Sequence, residues 1–327
     1  MPHNRSISSL CLAFVLLWLS TPAFTAEHLK LANTNTLLTG LIRLADDQDL
    51  YTQFGIQLEL EAKDTGEVAI RSLINKQADL AVVAGAPFVK HALNHPNLRL
   101  IATIGQCDNE IKLAVRKDRG IAGPEDLRGK RIGTQPGVAF HLFLDRLLIK
   151  HGMTEQDITP VFMPADRLPA ALANGLIDVM SSREPYLSQA LELQENNIRI
   201  ISAPGIYIKS FHLVTTDEFL QTDRAKSLIP LLQALNEAER RLTHQPDEMT
   251  ALLSKQLEQT PDEVKHQLHE SRLRLSMDSH LLSSLETIAR WLQPIQGGAD
   301  ETSIDFLPYL HTPLLATVKP NSVHLLH

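Results

Sequence analysis

Short apolar strands alternate with amphipathic helices along much of the chain, and the clearest example lies at residues 126–152. Polar and apolar residues alternate over 130–134, Gln-Pro-Gly forms a break at 135–137, and apolar residues then recur at helical spacing until Gly152. A strand, a turn and a helix in this order direct free backbone N–H groups and the positive end of the helix dipole at one spot. The pattern predicts an anion site there, with an ordinary α/β turn as the alternative.

The same alternation occurs in two successive units, which predicts an α/β fold. The first unit has predicted strands at 28–33, 56–61, 79–84 and 98–104, and the second at 111–115, 130–134, 158–163, 177–181 and 198–201. NKQADLAVV and ANGLIDVMSS repeat one order of helix end, Asp and buried strand. Each unit therefore predicts a doubly wound, mainly parallel sheet.

The last third of the chain changes character. After an extended segment at 205–214, four amphipathic helices are predicted at 223–242, 246–259, 261–273 and 279–292. The chain from Gly297 to His327 is expected to be loosely ordered. These helices add to the two sheet units rather than forming a third one.

The first 26 residues have the pattern of a secretory signal peptide. Arg5 is their only formal charge, residues 10–19 are continuously apolar, and small residues at Ala23 and Ala26 offer cleavage sites. Cleavage would remove Cys11 and leave Cys107 as the one cysteine, so no internal disulfide is predicted. Removing Arg5 changes the net charge from -7 to -8, which opposes broad attraction to nucleic acid or anionic lipid. We expect an exported, periplasmic protein with a local anion site.

Several short motifs, in this order and spacing, resemble the periplasmic solute-binding proteins of ABC transporters. The resemblance is to the family of nitrate-, sulfonate- and taurine-binding proteins, which also contains binders of thiamine-precursor pyrimidines, and it covers residues 29–292. The motifs are Gly55-Ile56, Asp79-Leu80-Ala81 before Pro87, Asp126-Leu127-Arg128-Gly129-Lys130, the loop at 134–138, Ala171-Leu172-Ala173-Asn174-Gly175 before Asp178, and Glu184-Pro185.

This resemblance implies the two-lobed, type II periplasmic-binding-protein fold. Lobe 1 would comprise residues 27–108 and 207–327, including the C-terminal helices, and lobe 2 residues 109–206. Ligand would lie between lobes that close by a hinge. The resemblance also implies a monomer with no enzymatic activity, no catalytic residue, no cofactor and no bound metal. Its partners would be a small-molecule solute and an inner-membrane permease, not nucleic acid.

Four loops are expected to converge on the crevice, because open α/β sheets bind ligands at the carboxyl ends of their strands. Many relatives have a Trp-Glu-Pro pattern where this chain has Arg183 before Glu184-Pro185, and a guanidinium can hold an anion with two parallel hydrogen bonds. An ion pair of Arg183 with a nearby acid is the alternative. Glu184 would accept from an amino or ring-nitrogen group, or it would cap a helix. The predicted ligand-binding residues are Thr34, Asn35, Thr36, Gly85, Ala86, Gln135, Pro136, Gly137, Val138, Arg183, Glu184 and Tyr186.

Three other features of the sequence have an ordinary structural explanation beside a functional one. Lys209 could reach the crevice, although most lysines are solvated. Cys107 has no neighbouring His to activate it, which favours an inert buried thiol. His91 and His95 have the spacing of metal ligands, but no acidic or Cys partner accompanies them in sequence and a helix C-terminus suits His without metal.

The sequence therefore predicts the substrate-binding component of an ABC importer that captures a small anionic organic solute, best matched by a sulfonate. A binder of a pyrimidine, with Glu184 as the ring partner, and a periplasmic sensor are the alternatives. A pyrimidine-synthase activity is disfavoured, because the Cys-rich motif of those enzymes is absent from this sequence.

Overall fold

The computed structural model describes residues 27–194, 196–295 and 305–325. The predicted signal peptide at 1–26 lies outside this part of the chain. Within the described ranges, no helix has both the length and the apolar character needed to span a bilayer.

Eleven strands in the described part of the chain form two separate sheets. In chain order they are β1 (Glu27–Thr34), β2 (Ile56–Lys63), β3 (Leu80–Ala84), β4 (Leu98–Cys107), β5 (Lys112–Arg116), β6 (Arg131–Thr134), β7 (Thr159–Phe162), β8 (Val179–Ser182), β9 (Ile198–Ile201), β10 (Lys209–Thr216) and β11 (Ser271–Arg272).

The two sheets share one topology. The first has the order β11-β4-β10-β3-β1-β2, with β1, β2 and β3 parallel and β10 inserted antiparallel between β3 and β4. The second has the order β7-β6-β8-β5-β9, with β6, β7 and β8 parallel and β5 inserted antiparallel between β8 and β9. The predicted α/β fold with two doubly wound, mainly parallel sheets is confirmed.

We call the body built on the first sheet lobe 1 and the body built on the second sheet lobe 2. The chain crosses from lobe 1 to lobe 2 between Cys107 and Lys112, and it returns between Ile201 and Lys209. The expected domain limits at 108/109 and 206/207 fall within these crossings and stay a prediction.

Thirteen α-helices in the described ranges surround the sheets. They are α1 (Gly40–Asp47), α2 (Leu50–Gln53), α3 (Gly66–Ile74), α4 (Gly85–Ala92), α5 (Ala139–Lys150), α6 (Leu168–Ala173), α7 (Tyr186–Gln194), α8 (Asp217–Leu220), α9 (Leu228–His244), α10 (Pro246–Leu257), α11 (Pro261–His269), α12 (Ser279–Ile295) and α13 (Thr312–Val318).

Local chemistry explains several helix ends. Thr65 caps α3 by accepting from Val68 N, and Thr260 caps α11 in a reciprocal capping box with Glu263. Helices α1 and α2 are separate, because Asp49 adopts a left-handed conformation with φ 53° between them.

The expectation of a loosely ordered C-terminal tail is wrong for residues 305–325. Phe306 is fully buried, Leu310 forms a bridge with Leu100 of β4, and Tyr309 Oη donates to Ala92 O at 2.9 Å. These contacts pack the tail against lobe 1, and nothing in its Pro-rich local sequence signals them because their partners are distant in the chain.

Candidate ligand-binding cleft

A cavity of about 670 Å³ lies between the lobes, and elements of both contribute to it. Lobe 1 supplies residues 35–38 after β1 and side chains from the ends of α10 and α11, while lobe 2 supplies Lys112 and the junction of β8 and α7. This volume lies in the range of small-molecule sites.

Four of the twelve predicted ligand-binding residues line this cavity, namely Asn35, Thr36, Arg183 and Glu184. Asn35 is exposed and its Nδ2 donates to Gln256 O at 3.2 Å. The Thr36 Oγ1 atom is buried and has no hydrogen-bond partner among the described residues. The loop after β1 therefore presents polar groups to the cavity, as expected for a strand end that faces a crevice.

The other eight predicted residues do not line this cavity. Thr34 is 5% exposed at the end of β1, and its Oγ1 has no partner in the described part of the chain. Tyr186 begins α7 and is half-buried. Gly85 and Ala86 begin α4, where α12 covers them: a methyl group added to Gly85 would lie 3.1 Å from Ile288 Cδ1.

The predicted anion turn forms as a tight turn before α5. Gly137 has φ +72°, a conformation that favours glycine, and Pro136 and Gly137 are exposed while Val138 precedes the first helical residue. The side-chain oxygen of Gln135 is engaged within lobe 2, because Oε1 accepts from Ala165 N at 3.1 Å. The Gly137 N–H donates to His141 Nδ1 over 3.5 Å, a weak bond that an anion would replace easily.

Arg183 lies next to this turn. Its guanidinium carbon is 6.0 Å from the ring centre of Phe140 in the first turn of α5, and its Nη1 donates to Glu184 O at 3.1 Å. No carboxylate within 4.0 Å pairs with Arg183 among the described residues. The ion pair of Arg183 with a nearby acid, which is the alternative from the sequence, is therefore not formed among the described residues.

Each carboxylate of the cavity lining accepts at least one hydrogen bond, while Glu110 Oε2 is buried without a partner among the described residues. Glu110 Oε1 accepts from Lys209 Nζ at 2.5 Å, and Glu184 accepts from Ser188 N at 3.1 Å and from Ser188 Oγ at 2.7 Å. Glu263 caps α11 through Thr260. Lys209, for which the sequence favours a solvated side chain, is instead 15% exposed and paired with Glu110 where the chain returns to lobe 1.

Glu270, the fourth carboxylate, joins the two lobes. Both of its oxygens lie 3.1 Å from Lys112 Nζ, and Oε1 accepts from Asn109 Nδ2 at 2.7 Å. The Lys112 side chain is 17% exposed and is directed at lobe 1. Within the described lining, Arg183 is thus the one cation whose charge no carboxylate neutralises.

Apolar groups form the remainder of the lining. Leu37 and Leu38 follow β1, Leu187 lies in α7, and Leu257 ends α10. The cavity therefore combines one unneutralised guanidinium with aliphatic walls.

Cys107 and the pair of His91 and His95 are the other candidates for chemistry in the sequence. Cys107 lines the cavity but is buried, and burial raises the pKa of its thiol, which disfavours the reactive thiolate. His91 Nε2 lies 3.0 Å from Glu67 Oε1 and its ring stacks on His95 at 6.1 Å. In the described residues no group of three or more His, Cys, Asp or Glu side chains is arranged to hold a metal ion.

Sequence reasoning missed the contribution of α10 and α11 to the site. Glu263, His266, Gln267 and Glu270 line the cavity, yet they follow Lys112 by more than 150 positions. No local motif marks these residues, because their position depends on how the C-terminal helices pack on lobe 1.

Comparison with known proteins places the chain in a family. The family model described as NMT1/THI5 like matches residues 35–249. A protein of Bacillus subtilis (strain 168), provisionally named an aliphatic sulfonates-binding protein, is 24% identical over 197 residues, covering 58% of this chain and 57% of its own length.

Solved structures share the fold at low sequence identity. The periplasmic aliphatic sulphonate binding protein SsuA from Escherichia coli has a TM-score of 0.72 at 16% identity and covers 88% of this chain and 92% of its own. The desulfurization enzyme DSZB has a TM-score of 0.62 at 16% identity and covers 90% of this chain and 99% of its own. The fold is therefore shared by binding proteins and by an enzyme.

Proposed function

This chain belongs to the NMT1/THI5-like family, and we propose that it is a solute-binding protein that captures an organic sulfonate between its two lobes. The single observation that carries this proposal is the unneutralised Arg183 guanidinium in a cavity of about 670 Å³ whose carboxylates each have another hydrogen-bond donor. A guanidinium holds the oxygens of a sulfonate with two parallel, charge-assisted hydrogen bonds.

The aliphatic wall supports an alkyl rather than a bare inorganic anion. Leu37, Leu38, Leu187 and Leu257 line the same cavity as Arg183. Burial of methylene groups against them contributes about 0.8 kcal/mol for each group. An alkanesulfonate combines the charged head and the aliphatic body that these residues match, and the name of the Bacillus subtilis relative agrees with this solute class.

Binding without catalysis is the better supported reading of the cleft. Cys107 is the one thiol among the described residues, and burial raises its pKa. The pyrimidine alternative needs Glu184 as a ring partner, and this carboxylate instead accepts two hydrogen bonds from Ser188 at the start of α7. An anionic solute leaves that capping arrangement intact.

In this proposal the protein acts in the periplasm and delivers its solute to the inner-membrane permease of an ABC importer. The apolar run at 10–19 supports export, and mass spectrometry of periplasmic protein tests it through cleavage near Ala23 or Ala26. Neighbouring genes for a permease and an ATPase would support transport, whereas a neighbouring membrane kinase would favour the sensor alternative.

Calorimetry with alkanesulfonates, nitrate, carboxylates and pyrimidines tests the solute class. We expect an alkanesulfonate to bind, and Arg183→Ala to weaken that binding by ~1.5 to 3 kcal/mol because a charge-assisted pair of hydrogen bonds is lost. Arg183→Lys should recover part of the affinity, since the charge returns without the planar fork.

Arg128→Ala is the matched control. Arg128 is exposed near the amino end of β6 and pairs with Asp157, so this variant removes the same charge from lobe 2 away from the cavity. It should bind the sulfonate like the unaltered protein. Unchanged sulfonate binding by Arg183→Ala, or binding of neutral pyrimidines alone, contradicts the proposal.

A further inference from the structure

Helix α12 packs on lobe 1 and also contacts helix α5 of lobe 2. Its apolar face belongs to lobe 1, where Leu285, Ile288 and Ala289 are buried and the helix packs against α4. Trp291, on the same helix, extends to lobe 2. Its Nε1–H donates to Asp145 Oδ2 at 2.6 Å, and α5 carries this aspartate.

The contact is reinforced by an aromatic pair. The Trp291 ring meets the His141 ring edge to face, with centroids 5.5 Å apart and planes at 81°. His141 also packs edge-on against Phe162, with centroids 5.1 Å apart. The indole of lobe 1 thus inserts its polar edge and its ring into a site formed by lobe 2.

His141 links this contact to the predicted anion turn. Its Nδ1 accepts from Gly137 N at 3.5 Å, while its Nε2 lies 3.7 Å from Asp145 Oδ1 and 3.8 Å from Glu155 Oε1. The side chain is 12% exposed. A continuous line of contacts therefore runs from α12 of lobe 1 through Asp145 and His141 to the backbone of the turn.

We propose that Trp291 is a positioning residue for solute capture: an interlobe latch that holds the turn at 135–138 of lobe 2 against lobe 1. The proposal rests on the proposed function for its ligand but not for the latch itself, whose contacts join residues of this chain. A ligand shifts a conformational equilibrium only through contacts that differ between the two states. The Trp291–Asp145 hydrogen bond is such a contact, because its donor and acceptor lie on different lobes and separate when the cleft opens.

Small-angle scattering of the ligand-free protein tests the latch directly. Trp291→Phe keeps an aromatic ring and deletes the N–H donor, and Asp145→Ala deletes the acceptor. We expect both variants to show a larger radius of gyration than the unaltered protein, with an unchanged far-ultraviolet circular dichroism spectrum. Arg290→Ala is the control, because Arg290 is an exposed neighbour whose Nη2 donates to Thr287 Oγ1 of its own helix.

Fluorescence provides a second readout. The sequence contains two tryptophans, Trp18 and Trp291, and cleavage of the predicted signal peptide removes Trp18, so Trp291 is the sole reporter in the exported protein. In that protein Asp145→Ala should increase quenching of Trp291 by iodide, whereas Arg290→Ala should not. A purely structural role of Asp145 within lobe 2 would not change the exposure of an indole on lobe 1.

Calorimetry with the alkanesulfonate that binds the unaltered protein connects the latch to capture. Trp291→Phe should weaken binding roughly 10-fold, and the liganded variant should still reach the compact radius of the liganded protein. Equal ligand-free radii for the two latch variants and the unaltered protein, together with unchanged quenching, overturn the inference. Expanded variants in a protein that binds no sulfonate would leave the latch standing and reject the proposed function instead.

Discussion

Lys112 Nζ lies 3.1 Å from both carboxylate oxygens of Glu270, and this ion pair joins β5 of lobe 2 to the end of α11 on lobe 1. The two side chains are 17% and 21% exposed, so solvent screens their attraction less than that of a surface pair. Because the chain crosses between the sheets beside Lys112, the pair joins the two lobes next to this crossing.

The first prediction concerns this pair. Lys112→Met should lower the free energy of unfolding by about 1 to 3 kcal/mol, because it leaves the Glu270 carboxylate partly buried without its cation. Adding Glu270→Gln should restore part of that loss, and chemical denaturation of the single and double variants measures the coupling. Asp223→Asn, in the exposed pair with Lys226, is the control and should be indistinguishable from the unaltered protein. Equal stabilities of Lys112→Met and the unaltered protein would contradict the coupling.

The second prediction is a pH dependence from His212, a buried residue of β10. Its Nδ1 lies 3.0 Å from Thr103 Oγ1 and its Nε2 2.9 Å from Ser210 Oγ, and burial lowers its pKa from 6.5 to about 3. The folded state keeps the ring neutral while the unfolded state binds a proton below pH 6.5. Stability from this residue is therefore complete above pH 6.5 and decreases by about 1.4 kcal/mol per pH unit as the pH falls toward 3.

His212→Asn removes the titrating ring and should flatten this part of the stability profile. Denaturant unfolding of both proteins at pH 7 and pH 5 measures the difference, and all other groups cancel in the comparison. His266→Asn, on the exposed side of α11, should keep the original slope. If His212→Asn and the unaltered protein lose the same free energy of unfolding between pH 7 and pH 5, His212 does not cause the loss of stability in acid.

The third prediction separates backbone geometry from ligand contact at the anion turn. Gly137 has φ +72° and Gly152, at the other end of α5, has φ +66°, and nothing lies within 4 Å of a methyl group added at either position. Valine at each site should cost about 1 to 2 kcal/mol of stability, because a β-branched residue disfavours this conformation.

Only Gly137→Val should also weaken sulfonate binding, since only this glycine lies in the turn that the sequence predicts to bind the anion. Denaturation and calorimetry of the two variants test this together. Equal affinities of the two variants would remove the turn from the binding site.

The fourth prediction concerns Gly105, near the end of β4. A methyl group at this position would lie 2.1 Å from Leu38 O, a backbone atom that cannot move aside. Gly105→Ala should destabilise the protein by about 3 kcal/mol or more and displace the cavity-lining segment at 37–38. At Gly66 the same substitution meets its nearest neighbour at 3.6 Å, so Gly66→Ala should be tolerated in the same thermal-unfolding assay. Equal melting temperatures of Gly105→Ala and the unaltered protein would show that the backbone of β4 shifts to accommodate the methyl group.

The sequence by itself determined the elements and the class of fold. Periodicity predicted β6, the turn at 135–137 and α5, and it predicted helices α9 to α12 with small errors at their ends. It also placed Arg183 at the end of a strand and so at the crevice. These inferences succeed because spacing, turn residues and strand ends are local properties of the chain.

Only the tertiary structure decided which of these groups share a site and which are used elsewhere. It directs Lys112 to Glu270, which lies 158 positions away, covers Gly85 with Ile288 of α12, and engages the Gln135 side chain with Ala165 N. It also packs the C-terminal tail on lobe 1 and brings Trp291 to Asp145. Such contacts depend on the packing of distant segments and on the neutralisation of buried charge, and neither has a local pattern in the sequence.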